Sequence, residues 1–253
     1  YGGIAAPPIT SAPPDHHWHR RLILPVFSPQ AVTKFEQGTR DMCNGLIDEF
    51  IHNGTADAAS DYAQHIPVRV IATMLGVPLE MEGDFTAWVR GVLEQGLTDP
   101  VIRMASRLKI IEFFIAQLED RKKNPRENDL MTDLLHAQVD GAVVDENYIL
   151  GVCNLMLVAG VDTTWSAIGS SLWHMAQHPE HRQQLRDNPD WWSTAIEELL
   201  RVYAPVTMAR IVDHDTEFQG CPMKAGDRVL MAFPAANRDP RMGALYSRYL
   251  SDW

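Results

Sequence analysis

Apolar residues recur every third or fourth position along most of this chain, the spacing of amphipathic helices. Residues 1–14 hold four of the sixteen prolines and read as extended backbone. A helix is expected over 14–24. Ser28-Pro29 then supplies an N-cap hydroxyl and a proline at the first helical position; Phe35, Met42, Leu46, Ile47 and Phe50 follow in helical register, and Asn53-Gly54 is the stop. Ile66 to Leu75 reads as a shorter helix ended by Gly76-Val77-Pro78, and Met81 to Leu97 as the next. Val101 to Lys123 has an apolar face at Ile102, Leu108, Ile111, Phe114, Ile115 and Leu118, closed by Arg121-Lys122-Lys123, cations that suit a helix C-terminus. Asp129 to Gln138 is a short helix. Asp145 opens a long one that runs to about His178 and halts at Pro179. Pro179 to Arg186 and Pro189 to Tyr203 complete the helical series. Beyond Pro205 the pattern changes to short strands at Ala209–Asp213, Glu217–Gln219 and Arg228–Ala232, with Lys224-Ala225-Gly226-Asp227 as a turn and Cys221 in a turn between strands. The fold class is mainly α with a small β region. No linker or repeat divides it, so residues 1–253 are expected to form one domain.

One stretch of the long helix breaks its apolar pattern: Ala159-Gly160-Val161-Asp162-Thr163-Thr164. Burying an acid and hydroxyls without partners costs roughly 1–3 kcal/mol per group. Gly160 weakens a helix by about 1 kcal/mol relative to Ala. Threonine hydroxyls can bond back to the carbonyl one turn earlier and bend the helix. A local opening beside an acid–alcohol pair could then hold a small ligand and pass protons to it. A helix–helix contact carrying a solvated Asp accounts for the same residues equally well.

Composition adds limits. The chain is 45% hydrophobic and 22% charged, an ordinary globular balance. The net charge of −11 and the lack of a basic run exclude nucleic acid and anionic membranes as expected partners. Cys43, Cys153 and Cys221 have neither disulfide nor zinc spacing. No signal peptide is evident, and the longest apolar run, Ile149 to Val161, is interrupted by Asn154. These features lead to the expectation of a soluble, cytoplasmic protein. The start at Tyr1 without Met is read as an unnatural initiation point.

The order of further motifs is more specific than any one of them. Glu198-Leu199-Leu200-Arg201 places an acid and a base one helical turn apart, a pairing common on surfaces. Around it stand Ala-Gly-Val-Asp-Thr-Thr, then His178-Pro179-Glu180-His181-Arg182-Gln183, Pro205-Val206 with Arg210, Lys224-Ala225-Gly226-Asp227-Arg228-Val229 and Asn237-Arg238-Asp239-Pro240. This series resembles the bacterial soluble cytochromes P-450, the haem-thiolate monooxygenases. The N-terminal segment Ala12-Pro13-Pro14-Asp15-His16-His17-Trp18-His19-Arg20-Arg21 is similar to the family's Asp-Pro-Pro-Glu-His-x-x-x-Arg-Arg, with Ala12 replacing the first Asp.

The resemblance implies roles. His16, Arg20 and Arg210 would contact haem propionates, and Ala159 and Gly160 would lie against the haem. Asp162 would relay protons to bound dioxygen, and Thr163 would steady the reduced oxygen by hydrogen bonding. Glu198 and Arg201 would be a structural pair. It also implies haem and O2, a small apolar organic substrate, and electrons from NAD(P)H through a ferredoxin or a flavoprotein reductase.

Departures from the family pattern matter. Its Phe-x-x-Gly-x-x-x-Cys-x-Gly loop, source of the iron-ligating thiolate, does not occur, so no metal ligand is assigned. Residues 1–240 are family-like and 241–253 are not. The expected fold is therefore a P-450 domain truncated at both ends: a monooxygenase by family, inactive as this chain. The alternative is a non-catalytic, haem-free helical fragment. One rival is zinc: His174, His178 and His181 stand at i, i+4 and i+7, but Pro179 should break the helix between the last two, and no metalloprotease Glu accompanies them. Solvated or capping histidines are the preferred reading. No dinucleotide glycine motif, phosphate loop or serine-nucleophile elbow is found.

Overall fold

The computed structural model describes residues 5–127 and 129–242. They form two compact units, Tyr1–Trp165 and Ser166–Trp253. No linker lies between them, because the boundary falls inside a helix. The tail 241–253, read as unlike the family, lies outside the described residues except for its first two.

The first unit holds α1 (Asp15–Ile23), α2 (Pro29–Thr33), α3 (Glu36–Phe50), α4 (His65–Met74), α5 (Glu82–Leu93), α6 (Pro100–Lys123) and α7 (Leu130–His136). A small hairpin, β1 (Gln138–Val139) with β2 (Ala142–Val143), leads into α8 (Glu146–Gln177). The helix expected from Pro29 to Phe50 is two helices. Ser28 caps α2, its Oγ accepting the Ala31 N–H at 3.3 Å. The Thr33 hydroxyl then bonds back to the Pro29 carbonyl at 2.8 Å, and α3 starts afresh after Phe35. Gly54, at φ 71°, ends the α3 region as the Asn-Gly signal requires.

One apolar core runs through α4 to α8, with Val68, Phe85, Val89, Ile110, Phe114, Ile149, Leu157 and Val161 fully shielded. On α6 the buried stripe is not the expected one. Ile110, Phe114 and Leu118 are inside, whereas Leu108 and Ile115 are about half exposed, at 51% and 45%. The stripe ends on a charge. Arg121 is wholly buried, in step with Leu118 three residues before it. Its guanidinium donates to both Asp129 carboxylate oxygens (3.4 and 3.3 Å), to the Gly76 carbonyl (2.6 Å) and to the Gln117 side chain. Asp129 also caps α7, accepting the Thr132 N–H at 2.9 Å and its hydroxyl at 2.8 Å. Gly76 is required there twice over: its φ is 61°, and a Cβ would lie 2.3 Å from Asp129 Oδ1.

α8 has a window of mean hydropathy 1.3, so by length and composition it could cross a membrane. The sequence reading counted only uninterrupted apolar runs and missed this. Its residues Tyr148, Ile149, Val152, Cys153, Met156, Leu157 and Val161 are buried in the first unit's core, and 39% of the apolar window is buried in all.

The second unit holds the end of α8, then α9 (Pro179–Asp187), α10 (Trp192–Tyr203), β3 (Met208–Ile211), β4 (Thr216–Phe218), β5 (Cys221–Met223), β6 (Arg228–Met231) and the short α11 (Phe233–Ala236). β3 pairs antiparallel with β6, from Met208↔Met231 to Ile211↔Arg228, and β4 with β5. Cys221 opens β5 rather than sitting in the turn. The turn itself is Gln219-Gly220, both at positive φ (50° and 81°).

Candidate functional site

The Ala-Gly-Val-Asp-Thr-Thr segment lies within an unbroken α-helix. The Thr163 hydroxyl does donate to the Ala159 carbonyl, at 2.8 Å, but the helix absorbs that bond without a break. Gly160 has a packing reason. A Cβ there would lie 2.7 Å from Ile71 Cδ1, so the missing side chain makes room for the end of the Ile71 side chain of α4. Asp162 is half-buried. Burial raises its pKa above the ordinary carboxylate range, and a hydrogen bond from Trp165 partly offsets this. The Trp165 ring in turn faces the Arg90 guanidinium at 5.7 Å.

Beside Ala159 and Gly160 is a cavity of about 400 Å³. Leu155, Met156, Ala159 and Gly160 of α8 form one wall, and Ile71, Ile23 and Phe27 close it. Arg20 of α1 is its one charged lining residue, and among the described residues that guanidinium has no hydrogen bond or ion pair. Phe27, Ile71 and Gly160 also border a larger cavity of about 940 Å³, which reaches Thr164 and, on α3, Cys43. Asp162 and Thr163 line neither cavity. His16 is half-buried, with its ring 6.0 Å from that of His17, and is also outside both linings.

The helix that carries Arg20 is anchored at the preceding residue, His19, by a contact the sequence reading missed. Tyr148 of α8 donates its hydroxyl to the His19 carbonyl at 2.8 Å, and the two rings stack at 4.7 Å. His19 Nδ1 and Ser11 Oγ are 2.6 Å apart. Burial pushes the Tyr148 phenol up to about 12, so it remains a donor at all ordinary pH. The available signal was an aromatic among aliphatic residues at the start of α8.

In the second unit the motif residues do meet. Arg201 makes a bidentate pair with Glu198, at 2.5 Å to each oxygen. It also donates to the Asn237 carbonyl, while Asn237 Nδ2 donates to the Arg201 carbonyl at 3.1 Å. Arg238 clamps the Val202 carbonyl with two bonds, of 2.9 and 2.7 Å. Glu-x-x-Arg and Asn-Arg-Asp-Pro are thus two halves of one polar lock. Arg210 is exposed on β3 and donates to the adjacent Ala209 carbonyl at 2.9 Å.

The family profile described as Cytochrome P450 matches residues 101–190. Cytochrome P450 109 of Bacillus spizizenii is 34% identical over 91% of this chain and 59% of its own length. Vitamin D(3) 25-hydroxylase of Pseudonocardia autotrophica is 31% identical over 90% and 56%. The solved structure of cytochrome P450 PksS from Bacillus subtilis 168 superposes with a TM-score of 0.86 at 28% identity, covering 92% of this chain and 60% of that one. The chain is similar to cytochromes P450 in sequence and in fold over about nine tenths of its length. It spans less than two thirds of the length of the curated P450s it matches.

P450s are haem-thiolate enzymes, and the residues present fit such a group only in part. A cation lining an apolar cavity, without a partner among the described residues, suits an apolar ring bearing carboxylates. The iron ligand is not matched. No cysteine lines the smaller cavity, and burial pushes the Cys153 thiol up to about 12, far from a thiolate.

Proposed function

We propose a haem-dependent monooxygenase activity, insertion of one oxygen atom from O2 into an apolar organic substrate, as the reaction this P450-like chain serves. The observation that carries it is Arg20, a guanidinium without a hydrogen-bond or ion-pair partner among the described residues, lining the apolar cavity walled by Ala159 and Gly160. Haem would supply the oxygen chemistry, and Arg20 would hold a carboxylate of it by a charge-assisted hydrogen bond; His16, four residues earlier on α1 and outside both cavity linings, would be a second hydrogen-bonding group. Asp162 holds a proton more readily than an exposed acid, because burial raises its pKa, and that suits it to proton relay. Thr163 keeps its proton on the Ala159 carbonyl and can turn it to another acceptor. Glu198 and Arg201 serve the fold rather than the reaction. The names of relatives, a vitamin D(3) hydroxylase and a P450 solved with testosterone, support an apolar substrate. A ferredoxin or flavoprotein reductase as electron donor, and a cytoplasmic location, belong to the same reading.

The chain is titrated with ferric haem and followed by visible absorbance. Arg20→Ala is expected to weaken uptake about ten-fold or more, the worth of a charge-assisted bond of roughly 1.5–3 kcal/mol. Uptake that is equal in wild type and variant sinks the assignment. The reduced chain with carbon monoxide is expected to show no thiolate-type band, in keeping with the cysteine positions. In a reconstituted, turning-over P450, Thr163→Ala is expected to divert oxygen to peroxide, and Asp162→Asn to slow turnover by about 10²–10⁴-fold. Wild-type rate and coupling in both would make the pair purely structural.

A further inference from the structure

The segment from His174 to His181 places three imidazoles and a carboxylate at the corner between α8 and α9. Spacing alone argued against their meeting, because Pro179 cannot continue α8. Pro179 does end that helix, but it is also the first residue of α9, and His178 between the two turns the chain with φ −122° and ψ 76°. The break therefore brings His181 back onto the other two rings. Its centre lies 4.9 Å from that of His178 and 5.2 Å from that of His174, with interplanar angles of 16° and 19°. His174 and His178 are 4.5 Å apart.

We infer that His178, Glu180 and His181 form a binding site for a divalent transition-metal ion, with zinc the metal it suits best. One ligand atom from each of the three lies within 4.8 Å of the others. Atoms bound tetrahedrally at about 2.0–2.1 Å from zinc are roughly 3.4 Å apart, so small side-chain rotations close the set on one ion. Two imidazoles and a carboxylate are borderline ligands, apt for zinc and poor for calcium or magnesium, which want oxygen shells. Three protein ligands leave the fourth position to water.

The surroundings brace this set. His174 Nε2 and His181 Nδ1 are 2.9 Å apart, and His174 Nδ1 is 2.8 Å from the Tyr203 hydroxyl on α10. His178 Nδ1 is 3.0 Å from Glu180 Oε1. An imidazole held through one nitrogen can ligate through the other, and such contacts orient ligating rings. His174 is thus a positioning residue.

The chain is stripped of metal with a chelator, and zinc alone is titrated in competition with a chromophoric chelator. One equivalent is expected to bind. Affinity is expected to fall about ten-fold or more in His178→Gln and in His181→Gln, and in the same direction in His174→Gln. His214→Gln, an exposed histidine of the same unit, is expected to change nothing. Cobalt in place of zinc is expected to give a visible band of a four-coordinate site that both ligand variants lose. Far-UV circular dichroism checks the fold. Should a histidine variant unfold, Glu180→Gln, whose side chain is exposed, carries the same test. No saturable uptake at micromolar zinc, or wild-type affinity in folded ligand variants, overturns the assignment.

Discussion

The two units are held by different physics. In the first, helices α4 to α8 share a continuous apolar core in which Phe85, Ile110, Phe114 and Leu157 are shielded from solvent. In the second, Leu185, Ala195 and Leu199 are the buried apolar side chains among the described residues, and the strands are mostly exposed. Order there comes instead from directional contacts: Glu198 with Arg201, Arg201 with Asn237, Arg238 on the Val202 carbonyl. A core tolerates modest change at many points, whereas a polar lock depends on a few donors and acceptors. The first unit contains one such lock too, the buried Arg121–Asp129 pair, and it pins the end of α4 to α6 and α7.

The largest test of this contrast removes that internal lock. Arg121→Met is expected to cost about 3–5 kcal/mol, because Asp129 would be left buried and unpaired. Denaturant titration reads the loss, and hydrogen exchange should show it in α6 and α7. Arg121→Met with Asp129→Leu should recover much of it. A single variant as stable as wild type would mean that the core alone holds the first unit. Next comes Glu198→Gln, expected to cost about 1.5–3 kcal/mol through one lost charge-assisted pair. Amide protection in α10 and around Asn237 should drop while α6 keeps its own. Loss spread evenly over both units would erase the distinction drawn here. Ser28→Ala is smaller, about 1 kcal/mol, the worth of one N-cap. Its effect on exchange should stay within α2. The smallest effect is one of sign. The pKa of Asp162 is raised in the folded state, so its neutral form is favoured there and its ionised form costs stability. Asp162→Asn should be slightly more stable than wild type at neutral pH. That advantage should fade as pH falls through the raised pKa and below the ordinary carboxylate range. A thermal shift that instead grows toward low pH contradicts the assignment.

Much of this was legible in the chain. Helix positions followed from spacing and from Ser28-Pro29, Asn53-Gly54 and Pro179, because caps and stops are local chemistry. The Glu198–Arg201 pairing followed from a one-turn separation. The likeness to the family followed from motif order. What stayed hidden depends on distant partners. Arg121 was read as a terminal cation for the helix dipole, although its register with Ile110, Phe114 and Leu118 placed it on the buried face. Nothing local announces that Gly76 and Asp129 will meet it. Gly160 was read as a weak point, and only the approach of Ile71 shows it to be a contact. The histidines failed in the opposite way: a proline taken to separate them is what folds them together.

The exposed strands of the second unit also bear on how the protein behaves in bulk solution. Among the described residues each ladder has two strands, so each strand there has one edge without a ladder partner, and Ile211, Phe218 and Leu230 present apolar side chains at 73%, 65% and 66% exposure. Edge-to-edge pairing between copies is then opposed chiefly by mutual repulsion, which a net charge of −11 provides at neutral pH. That repulsion vanishes near the isoelectric point of about 5.3 and is screened by salt. Colloidal stability in this molecule is therefore tied to its net negative charge, and acidification toward that point removes the repulsion that opposes pairing of strand edges.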